Sequence, residues 1–294
     1  MLKLPIVLTC DDKYFKYASV VIASLIENRN KKVQYEINVL SEYISPENKS
    51  KAIEQVKKYS NFELKFIALD SFDASRFFLN SYMSVSTYYR FYIPEIFKDY
   101  ERILYLDCDV IVDADISEMA TMDFEDKLVI CCSSPYIYNK IKNGDDEVYT
   151  KDYFKNVLKM PNPLEYFNAG VMLYNLKKIN ELNVSEKFFE AIEEIKKPLL
   201  QDQDILNSVL SRNGGVKLIS NKYNMTRSYK ITKNRLLLNA VLRFFNLLDK
   251  ANQLFYIYHY VGKDKPWQEE NIDSNLFFHY AKKSPFYQEI LEGG

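Results

Sequence analysis

Asp107 and Asp109 stand one residue apart at the end of the apolar run RILYL, residues 102–106. Two carboxylates that close repel each other unless a positive group sits between them. Three roles suit such a pair: the first carboxylate attacks a phosphate, both chelate a hard cation, or both polarise a turn. With nineteen aspartates in the chain, Asp-x-Asp arises roughly once by chance. It occurs three times, at Asp107/Asp109, Asp113/Asp115 and Asp202/Asp204, so position has to separate the three. In an extended segment residues i and i+2 point the same way, so the carboxylates of Asp107 and Asp109 are expected to converge. Asp115 stands before Ile116-Ser117-Glu118 as a helix cap would. Asp202 and Asp204 open an amphipathic segment, where acids suit the helix dipole without further function.

Composition narrows the chemistry. A chain of 294 residues, 47% hydrophobic and 15% aromatic, can bury a large core. With 39 basic against 40 acidic residues and a net charge of -1, no molecular field draws it to nucleic acid. There are two histidines, His259 and His279. A three-histidine zinc site is therefore excluded, and a bound metal would rest mainly on carboxylates, which favours magnesium or manganese. Cys10, Cys108, Cys131 and Cys132 have neither metal-site nor disulfide-framework spacing and read as buried thiols. None of the seven glycines precedes Gly144. The first half thus holds neither a Gly-x-Gly-x-x-Gly fingerprint nor a P-loop, and a phosphate there must be met by a cation and basic side chains.

No apolar run approaches the roughly 20 residues that span a bilayer. The start MLKLPIVLTCDD lacks a signal-peptide core, so a cytoplasmic location is expected.

The elements that position these residues alternate in type. PIVLTC, YEINVL, LKFIAL and RILYLD read as strands. Tyr17 to Asn28, Pro46 to Tyr59 capped by Ser45, and Ser86 to Phe97 interrupted by Pro94 read as helices. Such alternation predicts an α/β fold with a mostly parallel sheet covered on both faces, binding ligands beyond the carboxyl ends of its strands. Asp107 and Asp109 lie at one such end, and Asp11 and Asp12 at another. Further on, LVICC and AGVMLYN read as strands, Ser185 to Lys196 and Asp202 to Ser211 as helices, and VKLIS as a final strand. No linker or repeat marks a boundary, so one domain is expected, with the C-terminal part folded back.

An apolar strand ending in Asp-x-Asp also marks haloacid-dehalogenase-like phosphatases. Those usually carry the motif on the first strand, with Thr or Val two residues after the second Asp; here three strand–helix units precede it, and that position is Ile111.

Six separated segments resemble one family instead: LTCDDKY (8–14), STYYRFYIPE (86–95), RILYLDCDVIV (102–112), YFNAGVMLYNLKK (166–178), LQDQDILN (200–207) and HYVGKDKPW (259–267). From about Leu4 to Trp267 the chain resembles glycosyltransferase family 8, which includes bacterial lipopolysaccharide galactosyl- and glucosyltransferases and glycogenin. The resemblance implies the GT-A nucleotide-diphospho-sugar transferase fold, here 1–294 as a single catalytic domain whose segment 226–294 completes the donor site. It also implies that Asp107, Asp109 and His259 bind the metal and that Gly262 and Lys265 grip the diphosphate. Thr9, Cys10 and Asp11 then contact the nucleoside, with Cys108 beside the metal pair. Arg90 and Asp202 hold the hexose, and Asn168, Ala169, Gly170 and Gln203 line its reacting face, where Asp202 and Gln203 are the catalytic candidates. Trp267 reads as packing, while Gln201 and Asp204 support a helix start.

The implied activity is retaining transfer of galactose or glucose from a UDP-hexose, with Mn2+ or Mg2+, to a glycan or glycolipid acceptor in lipopolysaccharide or surface polysaccharide synthesis. Retention by attack on the face that UDP leaves is expected, because the amide of Gln203 is a poor nucleophile. Residues 227–250 carry six basic residues and one acid, with Leu237, Val241, Phe244/Phe245 and Leu248 at helical spacing. A lid, an acceptor surface, a membrane-surface helix at the inner face of the cell membrane, and an ordinary packed helix all fit that pattern. A non-catalytic sugar-nucleotide-binding module and a nucleotidyltransferase remain alternatives on the same fold.

Overall fold

The computed structural model describes residues 1–70, 72–79, 84–144, 146–226, 255–268 and 274–293. The basic segment 227–250 lies outside the described residues.

The first half builds three parallel strand–helix units. Strand β1 (Leu2–Thr9) leads to α1 (Phe15–Glu27), β2 (Val33–Ser41) to α2 (Pro46–Val56), and β3 (Phe62–Ala68) to the helical turns before α3 (Ile93–Ile96). Ser45 caps α2, its side chain accepting from Asn48 N at 3.3 Å, and Pro46 takes the first turn, where its missing N–H costs nothing. The expected helix over Ser86–Phe97 is instead a 3-10 segment, Val85–Tyr92, followed by the one-turn α3. Pro94 sits in the first turn of α3, so it starts a helix rather than interrupting one.

Strands β4 (Arg102–Leu106), β5 (Val110–Val112), β6 (Val129–Ser133), β7 (Phe167–Asn175) and β8 (Val216–Ile219) follow. Seven strands form one sheet in the order β3-β2-β1-β4-β7-β6-β8. Strand β7 runs antiparallel to both of its neighbours, β4 and β6, and the other pairs are parallel. Apolar residues fill both faces: Ile6 and Leu8 of β1 join the core beneath α1, while Val7 joins the core on the other side. Burial on both faces explains why these strands read as continuous apolar runs. Helices α4 (Pro135–Asn143), α5 (Leu176–Glu181), α6 (Val184–Glu194) and α7 (Asp202–Arg212) follow β6 or β7 and contribute to the second core. The C-terminal helices α8 (Ser274–Ala281) and α9 (Tyr287–Glu292) pack against α1, with Phe277, Tyr280 and Ile290 in the first core.

VKLIS is not the last strand. Strands β9 (Met225–Thr226) and β10 (Ile257–His259) come after it, and β10 pairs with β9 and antiparallel to β5 in a small second sheet. Two- and three-residue strands carry too little periodicity to be read from sequence.

Among the described residues, no helix is long and apolar enough to cross a membrane.

Candidate active site

Asp107 and Asp109 do not extend a strand as expected. They flank a turn where the chain leaves one sheet for the other: Asp107 N donates to Gly170 O of β7 at 2.8 Å, while Tyr260 N, just past β10, donates to Asp109 O at 3.0 Å. That switch brings the carboxylates to His259. One ligand atom from each of the three lies within 4.8 Å of the others. His259 Nε2 stands 3.2 Å from Asp109 Oδ1 and 3.6 Å from Asp107 Oδ2.

The remaining carboxylate oxygens are occupied. Asp107 Oδ1 accepts from Arg90 Nη2 at 2.8 Å and from the Tyr105 hydroxyl at 2.5 Å. Asp109 Oδ2 accepts from Lys265 Nζ at 2.5 Å. Asp109 Oδ1 is buried yet receives no hydrogen bond, an expensive arrangement for a charged oxygen unless a cation meets it. Burial raises the Asp109 carboxyl, but the positive charge of Lys265 beside it, joined by His259 when that ring is protonated, outweighs burial and holds it well below the usual carboxylate range. An ionised oxygen with no donor, next to an imidazole nitrogen and a second carboxylate, fits a divalent cation of the magnesium or manganese type.

Gly170 makes that approach sterically possible. A Cβ there would overlap His259 Cε1 and stand 2.7 Å from Asp107 Oδ2.

A second charged cluster adjoins the first. Arg90 is buried and bridges Asp107 and Asp202, its Nε lying 3.1 Å from Asp202 Oδ2. Burial opposes the guanidinium charge, but the two carboxylates more than offset it and raise its pKa. Asp202 responds in the opposite sense: burial, aided by Asp107, pushes it up to about 6 against the pull of Arg90 and Thr87. Thr87 Oγ1 donates to Asp202 Oδ1 at 2.6 Å, and Asp202 Oδ2 receives no hydrogen bond. Gln201, just before, has φ 48. A non-glycine residue held in the left-handed region is strained by roughly 1–3 kcal/mol, a cost that concentrates at functional sites.

Both clusters line one cleft of about 700 Å³ at the carboxyl ends of β1 and β4, with Thr9, Asn168, Ala169, Gly170, Gln203, Gly262 and Lys265 on its walls. Gly262 has φ +87, so its backbone, not its neighbours, requires glycine. Cys10 and Asp11 do not line the cleft. Cys10 is buried with its thiol against that of Cys108, and Asp11 accepts from Tyr14 N at 2.8 Å and from the Ser84 hydroxyl. Asp12 accepts from Ser45 N and Asn48 Nδ2, both at 2.8 Å, and ties the end of β1 to α2.

Asp204 supports the start of α7, as expected, accepting from Leu200 N at 2.9 Å. Asp113 is buried and accepts from the Tyr280 hydroxyl at 2.5 Å, while Asp115 accepts from Ser117 N at 2.9 Å; both are structural. Trp267 stacks on Tyr17 with ring centroids 3.8 Å apart.

Sequence reasoning missed Tyr105, Thr87 and Asn224. Tyr105 lies two residues before Asp107 on the same strand face, a period-two signal that was available. Thr87 lies one helical turn before Arg90. Asn224 had no local signal, since it meets His259 only through the pairing of β9 with β10.

A seven-stranded, mostly parallel sheet flanked by helices, with an Asp-x-Asp turn and a histidine from a distant strand meeting in the cleft at its strand ends, matches the GT-A glycosyltransferase fold. The chain belongs to glycosyl transferase family 8, whose model matches residues 5–271. It is 27% identical over 263 residues to the lipopolysaccharide 1,2-glucosyltransferase of Escherichia coli, covering 88% of this chain and 71% of that protein. Its structure is similar to that of the galactosyltransferase LgtC in complex with donor and acceptor sugar analogs, with a TM-score of 0.75, 25% identity, and 96% of each chain covered. It also matches the bifunctional glycosyltransferase WbbM with a TM-score of 0.77 and 25% identity; 99% of this chain spans 51% of that one, about half its length.

Proposed function

We propose that this glycosyltransferase moves galactose or glucose from a UDP-hexose to a glycan or glycolipid acceptor, with retention of anomeric configuration, in lipopolysaccharide or surface polysaccharide synthesis. The observation that carries the reading is the donorless Asp109 Oδ1 set between His259 Nε2 and the Asp107 carboxylate. The chain acts as one domain on this reading, because the segment from 226 onward supplies His259, Gly262 and Lys265. The family relatives named for glucosyl and galactosyl transfer support a hexose donor. A cytoplasmic site of action, at the inner face of the membrane, suits a nucleotide-sugar donor.

Asp107, Asp109 and His259 would hold the cation, manganese or magnesium. When bound, such a cation neutralises charge growing on the departing diphosphate. Lys265, already 2.5 Å from Asp109 Oδ2, adds a point charge at the same place, and the open backbone at Gly262 lets the phosphates approach. Interactions that strengthen as UDP leaves lower the barrier more than they tighten substrate binding. Asp202 Oδ2, ion-paired to Arg90 but without a hydrogen-bond donor, is the acceptor left for a hexose hydroxyl.

Gln203 is committed elsewhere. Its Oε1 accepts from Asn168 Nδ2 at 3.1 Å and from Ala169 N at 3.0 Å, and its Nε2 donates to the Tyr166 hydroxyl at 3.2 Å. An amide oxygen with two donors already on it is a weaker nucleophile still, which supports attack on the face that UDP leaves, the acceptor's proton passing to a phosphate oxygen. Incubation with a panel of UDP-hexoses and manganese, reading UDP release, tests this. Release from UDP-galactose or UDP-glucose is the expected result; silence with every donor contradicts it and favours a binding module.

A further inference from the structure

The reading of Asp107, Asp109 and His259 as a cation site leaves one fully buried polar side chain beside it without a role. Asn224 ends the helical turn Asn221–Tyr223, one residue before β9. Strand β9 pairs with β10 so that Met225 opposes Tyr258 and Thr226 opposes His259. This carries the Asn224 side chain to the far nitrogen of the imidazole: Asn224 Oδ1 and His259 Nδ1 are 2.9 Å apart.

Which amide atom faces the ring is decided by groups that can only donate. Gly170 N–H donates to Asn168 Oδ1 at 3.0 Å, and Ala169 N–H donates to Gln203 Oε1 at 3.0 Å. With those two oxygens fixed, Asn168 Nδ2 donates to Gln203 Oε1 at 3.1 Å. Asn224 Nδ2 donates to Asn168 Oδ1 at 2.7 Å. The oxygen of Asn224 must then face His259, where it accepts only if Nδ1 carries the proton. Nε2 is left with its lone pair, 3.2 Å from Asp109 Oδ1, the buried oxygen that receives no hydrogen bond.

Two backbone N–H groups, relayed through the amides of Gln203, Asn168 and Asn224, thus select the imidazole form that leaves Nε2 unprotonated beside the two carboxylates. Partners of this kind on the second ring nitrogen fix the orientation and tautomer of ligating histidines.

We propose that Asn224, aligned by Asn168 and the Gly170 N–H, is a positioning residue that holds His259 in the Nδ1–H tautomer with Nε2 free for the divalent cation. The proposal rests on the cation reading of the cluster, so its test begins without metal. The sequence has two histidines, and His279 is exposed on α8. Uniform 15N labelling of the histidines with a long-range 1H–15N correlation resolves both rings, and His279→Gln assigns them. At a pH where both rings are neutral, His259 is expected as Nδ1–H with an unprotonated Nε2.

In Asn224→Ala the ring is expected to take up the Nε2–H form, and manganese affinity, read by electron paramagnetic resonance counting of free ion, falls about 10–100-fold. Asn224→Asp retains an acceptor at Nδ1 but loses the donor to Asn168 Oδ1, so it is expected to keep the Nδ1–H tautomer at a cost in stability, and Nε2–H in a folded Asn224→Asp protein also overturns the proposal. Nε2–H in the wild type overturns the proposal even where Asn224→Ala fails to fold. So does an Asn224→Ala protein with wild-type tautomer and affinity. Wild-type protein that shows Nδ1–H but takes up no manganese instead overturns the cation reading of the cluster and leaves the hydrogen-bond assignment standing.

Discussion

Gly170 and His259 are in a contact that excludes any side chain at position 170: an added Cβ overlaps His259 Cε1 and comes within 2.7 Å of Asp107 Oδ2. The glycine on β7 is therefore part of the site, although it contributes no functional group.

Gly170→Ala is expected to displace the imidazole or the Asp107 carboxylate. Overpacking of this kind costs about 1–3 kcal/mol, to be read by urea unfolding. Manganese affinity should fall further than stability alone would dictate. A stable Gly170→Ala protein with unaltered manganese binding would contradict the assigned geometry.

Asp202 makes a pH prediction. Burial pushes its folded-state value up to about 6 from 3.8. A carboxyl raised on folding contributes stability that is full below its unfolded value and is lost as pH rises through the folded one. A tenfold change in an acid constant between the folded and unfolded chain is worth roughly 1.4 kcal/mol. Relative to Asp202→Asn, the wild type should thus lose up to about 3 kcal/mol of stability between about pH 4 and pH 7. Urea unfolding of both proteins across that window is the check. Parallel curves would place Asp202 in an environment less buried than the one seen beside Arg90 and Thr87.

Lys265→Ala removes the charge beside Asp109 that is proposed to meet the departing phosphates. By analogy with the loss of one donor to a developing oxyanion, kcat should fall about 100–1,000-fold with a smaller change in KM. Steady-state UDP release measures both. A change confined to KM would mean that Lys265 binds the ground state and the transition state equally.

Gln203→Ala should leave a measurable remainder of transfer, about 1–10% on the scale of positioning effects, because Gln203 aligns Asn168 and Ala169 and, under the proposed same-face attack, forms no covalent bond to the sugar. Complete loss of turnover in a folded Gln203→Ala protein, with a glycosyl adduct trapped on the wild type by mass spectrometry, would favour double displacement.

The sequence revealed the parts of this molecule that depend on local chemistry. Strands β1 to β4 were legible because burial on both faces makes each a continuous apolar run, and α2 because Ser45 and Pro46 mark its start. Asp107 and Asp109 were legible as a pair, and Lys265 and Gly262 through the segment HYVGKDKPW. What sequence did not show is what long-range pairing creates. The antiparallel pairing of β5 with β10 turns Asp107-Cys108-Asp109 into a bend between two sheets, where a strand end was expected. The pairing of β10 with β9 delivers Asn224 to His259. Asp11, read as a nucleoside contact from its place after β1, accepts from Tyr14 N and the Ser84 hydroxyl, two residues that line the cleft. Nothing in the spacing of Asp202-Gln203-Asp204 distinguished the helix-supporting Asp204 from the cleft-lining Asp202; the hydroxyls of Tyr153 and Tyr166, at 2.6 and 2.5 Å, claim the former.

The central claim is that Asp107, Asp109 and His259 hold a divalent cation on which transfer from a UDP-hexose depends. It is tested most directly by UDP release from UDP-galactose and UDP-glucose, titrated with manganese, in the wild type, Asp107→Ala and Asp109→Ala. Saturable manganese-dependent release in the wild type and at least about a thousand-fold loss in either variant, each still folded, is the predicted result. Release that persists in chelator, or full activity in either aspartate variant, contradicts the account.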